Sequence, residues 1–351
     1  LLVTGGAGFI GSNFTRYMLE KYSDLHITVY DKLTYAGLLS NLQDVAADFA
    51  GRYSFAQGDI CDAARVTEII AAHNIDTIVN FAAETHVDRS ILDPNAFIQT
   101  DVVGTYVLLD AAHKAGSLRY HQISTDEVYG SLGSTGFFTE ETAYDPSSPY
   151  SASKAASDHL VRSWYRTFGL PITVSNCSNN YGPFQFPEKL IPLVIANALA
   201  GKPLPVYGDG RNVRDWLYVD DHCRAIDLIV RRGALGRTYN VGGRCEMENI
   251  AIVHAICDLI DKARPDPAGP RRRLITFVTD RPGHDRRYAI DCTRIEKELG
   301  WKPRETFVTG LGNTVAWYLA NQAWVSSITS GSYKQERLGL RSTATPSLRP
   351  A

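Results

Sequence analysis

Residues 1–12 have the sequence LLVTGGAGFIGS, in which Gly5, Gly8 and Gly11 lie between a short apolar run and an amphipathic stretch. This order predicts a strand, a tight glycine turn and a helix that starts near Phe9. Glycine suits the turn because a side chain would keep a diphosphate away from the free N–H groups at the helix N-terminus. We therefore expect a dinucleotide to contact the turn at Gly5, Gly8, Phe9, Ile10 and Gly11.

An acidic residue, Asp31, ends the second predicted strand, at the distance from Gly11 that a ribose-binding carboxylate requires. A carboxylate there would repel a 2′-phosphate, so we expect NAD rather than NADP. The other predicted contacts of the cofactor follow the ends of neighbouring strands and are Lys32, Asp59, Ile60 and Ala82. The alternative is a turn of structural glycines with an unrelated acid.

Short β-rich runs alternate with longer amphipathic stretches in the first half of the chain, which predicts parallel strands joined by crossover helices. The predicted strands cover residues 1–3, 27–30, 53–56, 77–81, 120–123 and 172–174. Right-handed crossovers wind such strands into an open sheet that binds ligands at the carboxyl ends of the strands. We therefore predict an α/β fold with a Rossmann-type doubly wound parallel sheet and a smaller mixed α/β substrate-binding lobe.

The alternation loosens after about residue 180, where prolines recur. We assign residues 1–180 to the NAD-binding domain, with part of the later chain returning to it, and 181–333 mainly to the substrate lobe. Residues 334–351 are rich in Ser, Thr and Pro and are expected to form a disordered tail. Because Leu1 stands only three residues before Thr4, we expect a residue or two of the first strand to be missing upstream.

The composition excludes several classes of partner. Thirty-six basic and 38 acidic side chains give a net charge of −2, so the chain lacks the excess of positive charge that is typical of proteins that bind nucleic acid. No apolar stretch approaches the roughly 20 residues that span a bilayer, and the six cysteines have no metal-ligand spacing. We therefore expect that the protein binds no nucleic acid, membrane or metal. We also expect it to work in a reducing cytoplasm with its thiols free.

Arg271, Arg272 and Arg273 follow prolines and are interpreted as a solvated loop without function.

Tyr150 and Lys154 stand four residues apart in a predicted helix, so both side chains lie on one face. A nearby cation is expected to lower the pKa of the phenol, so that Tyr150 can act as a base toward a substrate hydroxyl while hydride leaves. Lys154 can also hold the nicotinamide ribose. A chance match of this spacing is improbable here, because the pair follows the predicted dinucleotide-binding half of a Rossmann-type sheet.

Two adjacent acids, Asp126 and Glu127, follow the fifth predicted strand. An oxidation alone needs only a hydroxyl partner for Tyr150, such as Thr125, so an acid and a base together indicate a second reaction with proton transfer and elimination. The alternative is that one of the two acids merely caps a turn.

The chain, from Leu1 to about Tyr333, resembles the dTDP-glucose 4,6-dehydratases, members of the extended short-chain dehydrogenase/reductase family. The most specific matching motifs are TGGAGFIG (4–11), HVDRS (86–90), STDEVYG (124–130), SNNYGP (178–183), PEKLIP (187–192), RDW (214–216) and DRPGHD (280–285). A match of this length is not a coincidence of motifs.

The resemblance implies that Tyr150 removes the C4 hydroxyl proton while hydride passes from C4 to NAD. Thr125 would form a hydrogen bond with the C4 oxygen. Glu127 would then take the C5 proton, and Asp126, initially protonated, would protonate the departing C6 hydroxyl. The stored hydride returns to C6.

The resemblance further implies a set of contacts to a sugar nucleotide. The expected residues are His86, Asn180, Glu188, Lys189, Leu190, Pro205, Tyr207, Arg214, Asn249, Arg281 and His284. His86 and His284 fit a local structural role as readily. The resemblance also implies a homodimer through a four-helix bundle of residues 95–115 and 150–168. One departure is Asp101, which stands where the family usually carries Asn and could alter the environment of Lys154.

Three alternatives stay open at this point. Another nucleotide-sugar 4,6-dehydratase would share every feature, and neither the thymine or uracil base nor the downstream pathway follows from the residues. A 4-epimerase would share Tyr150 and Lys154 but would need no acid and base at positions 126 and 127. A non-catalytic NAD sensor would keep the fold without needing Tyr150.

Overall fold

The computed structural model describes residues 1–280 and 284–329, in which short strands and helices alternate. The strands are β1 (Leu2–Thr4), β2 (Ile27–Asp31), β3 (Tyr53–Gln57), β4 (Thr77–Asn80), β5 (Arg119–Thr125), β6 (Ile172–Cys177), β7 (Asn179–Tyr181), β8 (Leu204–Tyr207), β9 (Val213–Tyr218), β10 (Thr238–Val241), β11 (Glu246–Glu248) and β12 (Ile275–Val278).

The helices complete the alternation. They are α1 (Phe9–Lys21), α2 (Gln43–Asp48), α3 (Ala63–Ala72), α4 (Val87–Leu92), α5 (Pro94–Phe97), α6 (Gly104–Lys114), α7 (Pro149–Phe168), α8 (Leu190–Leu199), α9 (Val219–Arg232), α10 (Asn249–Ala263), α11 (Thr293–Leu299), α12 (Phe307–Ala320) and α13 (Gln322–Thr329). A π-helical turn, Ile98–Val103, joins α5 to α6.

Within the described residues, seven strands form one parallel sheet in the order β10-β6-β5-β4-β1-β2-β3. The order reverses between β1 and β4, which is the switch point where a doubly wound sheet opens a ligand crevice. The predicted fold class is confirmed. The later strand β10 extends the sheet beside β6.

Apolar side chains cover both faces of this sheet. Val66, Leu108 and Val161, from α3, α6 and α7, join one buried cluster, and Phe14 and Ile226, from α1 and α9, join the other. Burial on both faces explains the consecutive apolar residues of the central strands β1, β2 and β4. The core therefore holds the sheet rigidly and leaves its carboxyl edge for a site.

The later chain builds a second core with smaller sheets. β7, β9 and β11 form a mixed three-stranded sheet, and β8 pairs in parallel with β12. Helices α8, α10 and α12 contribute Val194, Ile256 and Leu311 to the same cluster. This packing gives the second unit its own apolar interior.

Arg271 corrects one sequence interpretation. It begins a short 3₁₀ helix, Arg271–Leu274, and is only 6% exposed. Its guanidinium donates to Asp261 Oδ1 at 2.6 Å and to the carbonyl of Ala198 at 3.0 Å. The solvated-loop interpretation is therefore wrong for Arg271, because its buried side chain bonds acceptors on α8 and α10.

Other expectations concern the thiols and the tail. All six cysteines, each of which lies in the described part, are free. None of the helices in the described ranges has the length and apolar character needed to cross a membrane. The tail predicted at 334–351 lies outside the described residues.

Candidate active site

A cleft opens at the carboxyl edge of the large sheet. The glycine turn, the loops that follow β2, β3 and β4, the end of β5 and the first turn of α7 line it. The predicted residues that it brings together are Gly5, Gly8, Phe9, Ile10, Gly11, Asp31, Lys32, Asp59, Ile60, Ala82, Thr125, Glu127, Tyr150, Lys154, Asn180, Glu188 and Lys189.

The glycine turn forms a cradle that side chains would fill. Gly5 has a φ of +64°, and a Cβ there would lie 2.6 Å from the backbone N of Ala82. A Cβ on Gly11 would lie 2.5 Å from the carbonyl oxygen of Gly5. Helix α1 starts after Gly8 without a side-chain cap, so its first N–H groups are directed at the cleft. This cradle fits the diphosphate of NAD.

Asp31 closes the glycine turn from the end of β2. It is 8% exposed, and its carboxyl accepts hydrogen bonds from the N–H of Ala7 at 2.9 Å and of Leu33 at 2.8 Å. Burial raises the pKa of Asp31, against the two hydrogen bonds that lower it. Next to it, Lys32 and Asp59 form an ion pair at 2.6 Å. These side chains delimit the end of the cleft where a ribose and adenine would lie.

Helix α7 delivers Tyr150 and Lys154 to the cleft. Its N-terminus is fixed by a capping box between Ser148 and Ser151, with a proline in the first turn. The ammonium of Lys154 donates to the carbonyl of Ile123 at 2.7 Å, which ties α7 to β5.

The electrostatic expectation for Tyr150 is wrong in this structure. Burial, and after it the charge of Glu127, raises the pKa of Tyr150 well above its ordinary value, and a hydrogen bond with Thr125 opposes that rise only in part. Lys154, whose ammonium donates to the carbonyl of Ile123, is not among the main influences on the pKa of Tyr150. Thr125, Glu127 and Tyr150 nevertheless share one corner of the cleft.

Asp126 lies behind this corner in the 3₁₀ turn Asp126–Tyr129. The side chain is 1% exposed, and among the described residues its Oδ2 has no hydrogen-bond partner. Burial, followed by the charges of Glu127 and Asp215, raises the pKa of Asp126 well above its ordinary value. Such a setting favours the protonated carboxyl, which can donate its proton.

Three candidate substrate residues enter the cleft from the later chain. Asn180 Oδ1 lies 2.9 Å from Nδ1 of the buried His222, whose pKa burial lowers to about 3. Glu188 Oε1 accepts from the hydroxyl of Tyr35 at 2.9 Å. Lys189 donates to the carbonyl of Thr85 at 2.6 Å. These contacts join the second unit to the loops beside the glycine turn.

The remaining candidates lie at the edges of this arrangement. Leu190 begins α8, Pro205 and Tyr207 lie on β8, Asn249 begins α10, His86 precedes α4, and His284 bonds Asp280 at 2.6 Å. Arg281 falls outside the described residues.

Arg214 is a buried cation beside the acid pair. It is 5% exposed, donates to the carbonyl of Asp285 at 2.8 Å and lies over the ring of Tyr288 at 4.2 Å. It also opposes the raised pKa of Asp126. The guanidinium is therefore held in place by the 285–288 segment.

Sequence reasoning missed two groups of side chains. The guanidinium of Arg89 lies 3.8 Å over the ring of Tyr35, and its Nε is 3.5 Å from Glu188. Asp158 is fully buried and accepts from Ser124 Oγ at 2.8 Å and the hydroxyl of Tyr144 at 2.9 Å. Its spacing, four residues after Lys154 on α7, is the signal that could have found it.

Comparison with known proteins relates this site to a family. The family model described as GDP-mannose 4,6 dehydratase matches residues 2–314. A dTDP-glucose 4,6-dehydratase from Xanthomonas campestris is 56% identical over 349 residues, which cover 96% of this chain and 98% of that protein.

Two solved structures have the same fold. The dTDP-glucose 4,6-dehydratase from Bacillus anthracis, in complex with NAD, is 47% identical with a TM-score of 0.85, covering 93% of this chain and 98% of that one. The enzyme from Streptomyces venezuelae, solved with NAD and a second ligand, is 46% identical with a TM-score of 0.87, covering 93% and 99%. The chain therefore belongs to the GDP-mannose 4,6 dehydratase family and, within it, groups with the dTDP-glucose 4,6-dehydratases.

Proposed function

We propose that this chain is an NAD-dependent hydro-lyase that converts dTDP-glucose into dTDP-4-keto-6-deoxyglucose and water. The observation that carries the proposal is the corner of the cleft where Thr125, Glu127 and Tyr150 lie together with the buried acid Asp126 behind them. The relatives that carry this name match nearly the whole chain.

The cradle of Gly5, Gly8 and Gly11 would hold the diphosphate of NAD, and Asp31 its adenosine ribose. Phe9, Ile10, Lys32, Asp59, Ile60 and Ala82 line the same part of the cleft. When bound, NAD supplies a hydride acceptor that returns the hydride at the end of the reaction. Lys154 would hold the nicotinamide ribose.

The first proton transfer is assigned to Tyr150. Its phenol would take the proton of the C4 hydroxyl as C4 is oxidised, and Thr125 would hydrogen-bond the same oxygen. The raised pKa of Tyr150 means that the phenol holds its proton until a positive charge enters the cleft. An oxidised nicotinamide is such a charge.

The elimination is assigned to the acid pair. The C4 ketone acidifies the C5 proton, which Glu127 would take, while Asp126 gives its proton to the departing C6 hydroxyl. One C–H bond and one C–O bond break, a C5–C6 double bond forms, and water leaves. The double bond is then saturated by a hydride at C6 and a proton at C5. Burial raises the pKa of Asp126 and so favours the protonated form that this role needs.

The sugar nucleotide would lie between the two units. We assign Asn180, Glu188 and Lys189 to contacts in the cleft, because they line it opposite the glycine turn. Arg214 and Arg281 would contact the diphosphate, since the guanidinium fork matches phosphate oxygens. The further contacts of the nucleotide are assigned to His86, Leu190, Pro205, Tyr207, Asn249 and His284.

Turnover of dTDP-glucose in deuterated water tests the proposal. The expected product is the 4-keto-6-deoxy sugar with deuterium at C5, formed without added NAD. A 4-epimerase would instead yield dTDP-galactose without a keto sugar, and a sensor would bind NAD without turnover. Parallel incubation with UDP-glucose distinguishes the thymine from the uracil nucleotide.

Separate variants test the acid pair. Glu127→Gln and Asp126→Asn should each lower kcat by about 10²–10⁴-fold, the usual range for loss of a proton-transfer group. Both should still oxidise C4, so reduced cofactor should accumulate and be visible by its fluorescence. If either variant keeps the wild-type kcat, that residue has no role in the elimination.

We also propose a homodimer formed by the outer faces of α6 and α7. Tyr106 and Phe168 are 46% and 48% exposed, and both rings contact Trp164, at 5.9 and 5.5 Å. Tyr165 on α7 and Ile98 in the adjoining π-helical turn are also exposed, at 39% and 45%. A contiguous apolar patch on a helix pair is typical of an interface, and a second copy of this chain would cover it.

Sedimentation measures that association directly. Tyr106→Asp and Phe168→Asp should convert the dimer into a monomer, because each would bury a carboxylate in the interface. Val308→Asp is the control, since Val308 is 78% exposed on α12, away from this patch. A dimer that survives both first variants would place the interface elsewhere.

Two further proposals concern the domain organisation and the cellular compartment. Residues 1–180 would form the NAD-binding domain, completed by returning strands such as β10, and 181–333 would mainly form the nucleotide-sugar lobe, with the separate core of α8, α10 and α12. Six free cysteines support work in a reducing cytoplasm.

A further inference from the structure

Asp101 lies in the π-helical turn between α5 and α6. It is 2% exposed and both carboxyl oxygens have partners. Oδ1 accepts from the N–H of Glu84 at 2.9 Å, and Oδ2 accepts from Ser153 Oγ at 2.6 Å. A π-helical turn costs regular hydrogen bonding and often marks a functional place in a helix.

These partners belong to two different walls of the cleft. Glu84 follows β4 in the loop 81–85, which lines the cleft beside the glycine turn. Ser153 stands on α7 between Tyr150 and Lys154. A second hydroxyl one turn further on, Ser157 Oγ, donates to the carbonyl of Asp101 at 2.6 Å. Asp101 thus joins the loop 81–85 to α7.

The contact between Asp101 and α7 depends on the charge of Asp101, because Ser153 has only one hydroxyl hydrogen to donate. Its single hydroxyl hydrogen faces both Asp101 Oδ2, at 2.6 Å, and the carbonyl of Tyr150, at 2.8 Å. An ionised carboxyl at position 101 can only accept, so it takes that hydrogen. An amide or a protonated acid can donate to Ser153 instead and leave the hydrogen to the carbonyl of Tyr150.

The charged and titratable groups that face Asp101 are Lys154 and Tyr150 from α7 and Glu84 from the loop after β4. Burial raises the pKa of Asp101 to about 6, although Lys154 holds it down. The ionised carboxyl in turn raises the pKa of Tyr150.

We infer that Asp101 is a positioning residue for the dehydration, which holds α7 against the cofactor-cleft loop and whose negative charge opposes loss of the Tyr150 proton. The inference rests on the proposed function, because it gives the charge at position 101 a consequence for the base of that reaction. An asparagine at this position would keep the shape of the joint without the charge.

Direct titration of Tyr150 tests the charge, and it needs neither substrate nor turnover. Carbon NMR of Cζ-labelled tyrosine, assigned with Tyr150→Phe, should show that Asp101→Asn titrates at lower pH than the wild type. The acid limb of its kcat profile should move in the same direction. Asp258→Asn, which removes an α10 carboxylate paired with Arg272, should change neither. An unchanged titration in folded Asp101→Asn would overturn the inference.

Ser153→Ala tests the joint separately and covers the case in which Asp101→Asn does not fold. Loss of the hydroxyl should lower kcat by about tenfold through misplacement of α7, with KM within about twofold of wild type and the pH profile in place. A wild-type kcat in Ser153→Ala would remove the positioning role. If the wild type itself does not turn over dTDP-glucose, the proposed function fails, while the tyrosine titration still reports on Asp101.

Discussion

Asp126 loses hydration on folding and gains little in return, because its carboxyl is buried and Oδ2 has no partner among the described residues. Its pKa in the folded chain lies above the ordinary value of 3.8. A raised pKa of this kind contributes stability that is complete below the ordinary pKa. That contribution is lost as the pH rises through the folded value.

Asp126→Asn should therefore unfold at a higher temperature than wild type at about pH 8, and the gap should narrow as the pH falls toward about 4. The physical reason is that the amide never ionises. Calorimetry across this range measures the effect. Asp258→Asn, which removes an α10 carboxylate paired with Arg272, serves as the control. Equal melting temperatures of the two proteins at every pH would mean that contacts in the folded state offset the lost hydration of the Asp126 carboxylate.

At the scale of elements, the glycine turn and α1 form one unit. Because a Cβ on Gly11 would lie 2.5 Å from the carbonyl of Gly5, the turn and the helix can pack only without a side chain there. The same contact sets the position of the α1 N-terminus in the cleft. Both the packing of α1 and the binding of the cofactor therefore depend on the close approach of the Gly5 carbonyl to Gly11.

Gly11→Ala should lower the free energy of unfolding by about 1–3 kcal/mol, the usual cost of overpacking, and should reduce the NAD that copurifies with the protein. Gly312→Ala is the matched control in α12, where a Cβ meets nothing within 4 Å. That variant should gain up to about 1 kcal/mol from helix propensity. Urea denaturation and cofactor extraction measure both, and full NAD content in Gly11→Ala would contradict the close-approach argument.

The element boundaries show where local pattern was informative. The predicted strands all exist, but β5 continues to Thr125, two residues past the predicted end. Ser124 and Thr125 pair with Asn176 and Cys177 of β6, so the extension is made of polar residues that an apolar pattern does not reveal. The extension brings Thr125 to the cleft.

In the whole molecule, Asp221 at the start of α9 holds the chain near residue 304 against the large sheet. Its Oδ2 accepts from the N–H of Arg304 at 2.9 Å and of Glu305 at 2.8 Å, and Oδ1 accepts from Arg224. The carbonyl of Asp221 also accepts from Trp301 Nε1 at 3.1 Å. Four donors from distant or neighbouring segments thus converge on one residue.

Asp221→Ala should lower the free energy of unfolding by about 2–4 kcal/mol, because it leaves the partly buried N–H groups of Arg304 and Glu305 and the guanidinium of Arg224 without their acceptor. The neighbouring Asp220→Ala, at an exposed position, should change it by less than about 0.5 kcal/mol. Urea denaturation of the two variants separates these outcomes. Similar stabilities would show that water replaces the Asp221 contacts.

The sequence was sufficient for the features that depend on short spacing. The turn at Gly5–Gly11, Asp31 after the second strand, and Tyr150 with Lys154 on one helix face follow from strand, turn and helix geometry alone. The neighbouring acids Asp126 and Glu127 are adjacent by covalent structure. These features also carried the resemblance to the dehydratases.

Long-range packing decided the rest. Tyr35, Arg89 and Glu188 come together from three distant segments, burial raises the pKa of Tyr150, and Arg271 is buried. Each depends on the path of the whole chain, which a local pattern does not contain. Burial sets the pKa values of Asp126 and Asp101 for the same reason, since desolvation is a property of the packed molecule and not of a residue type.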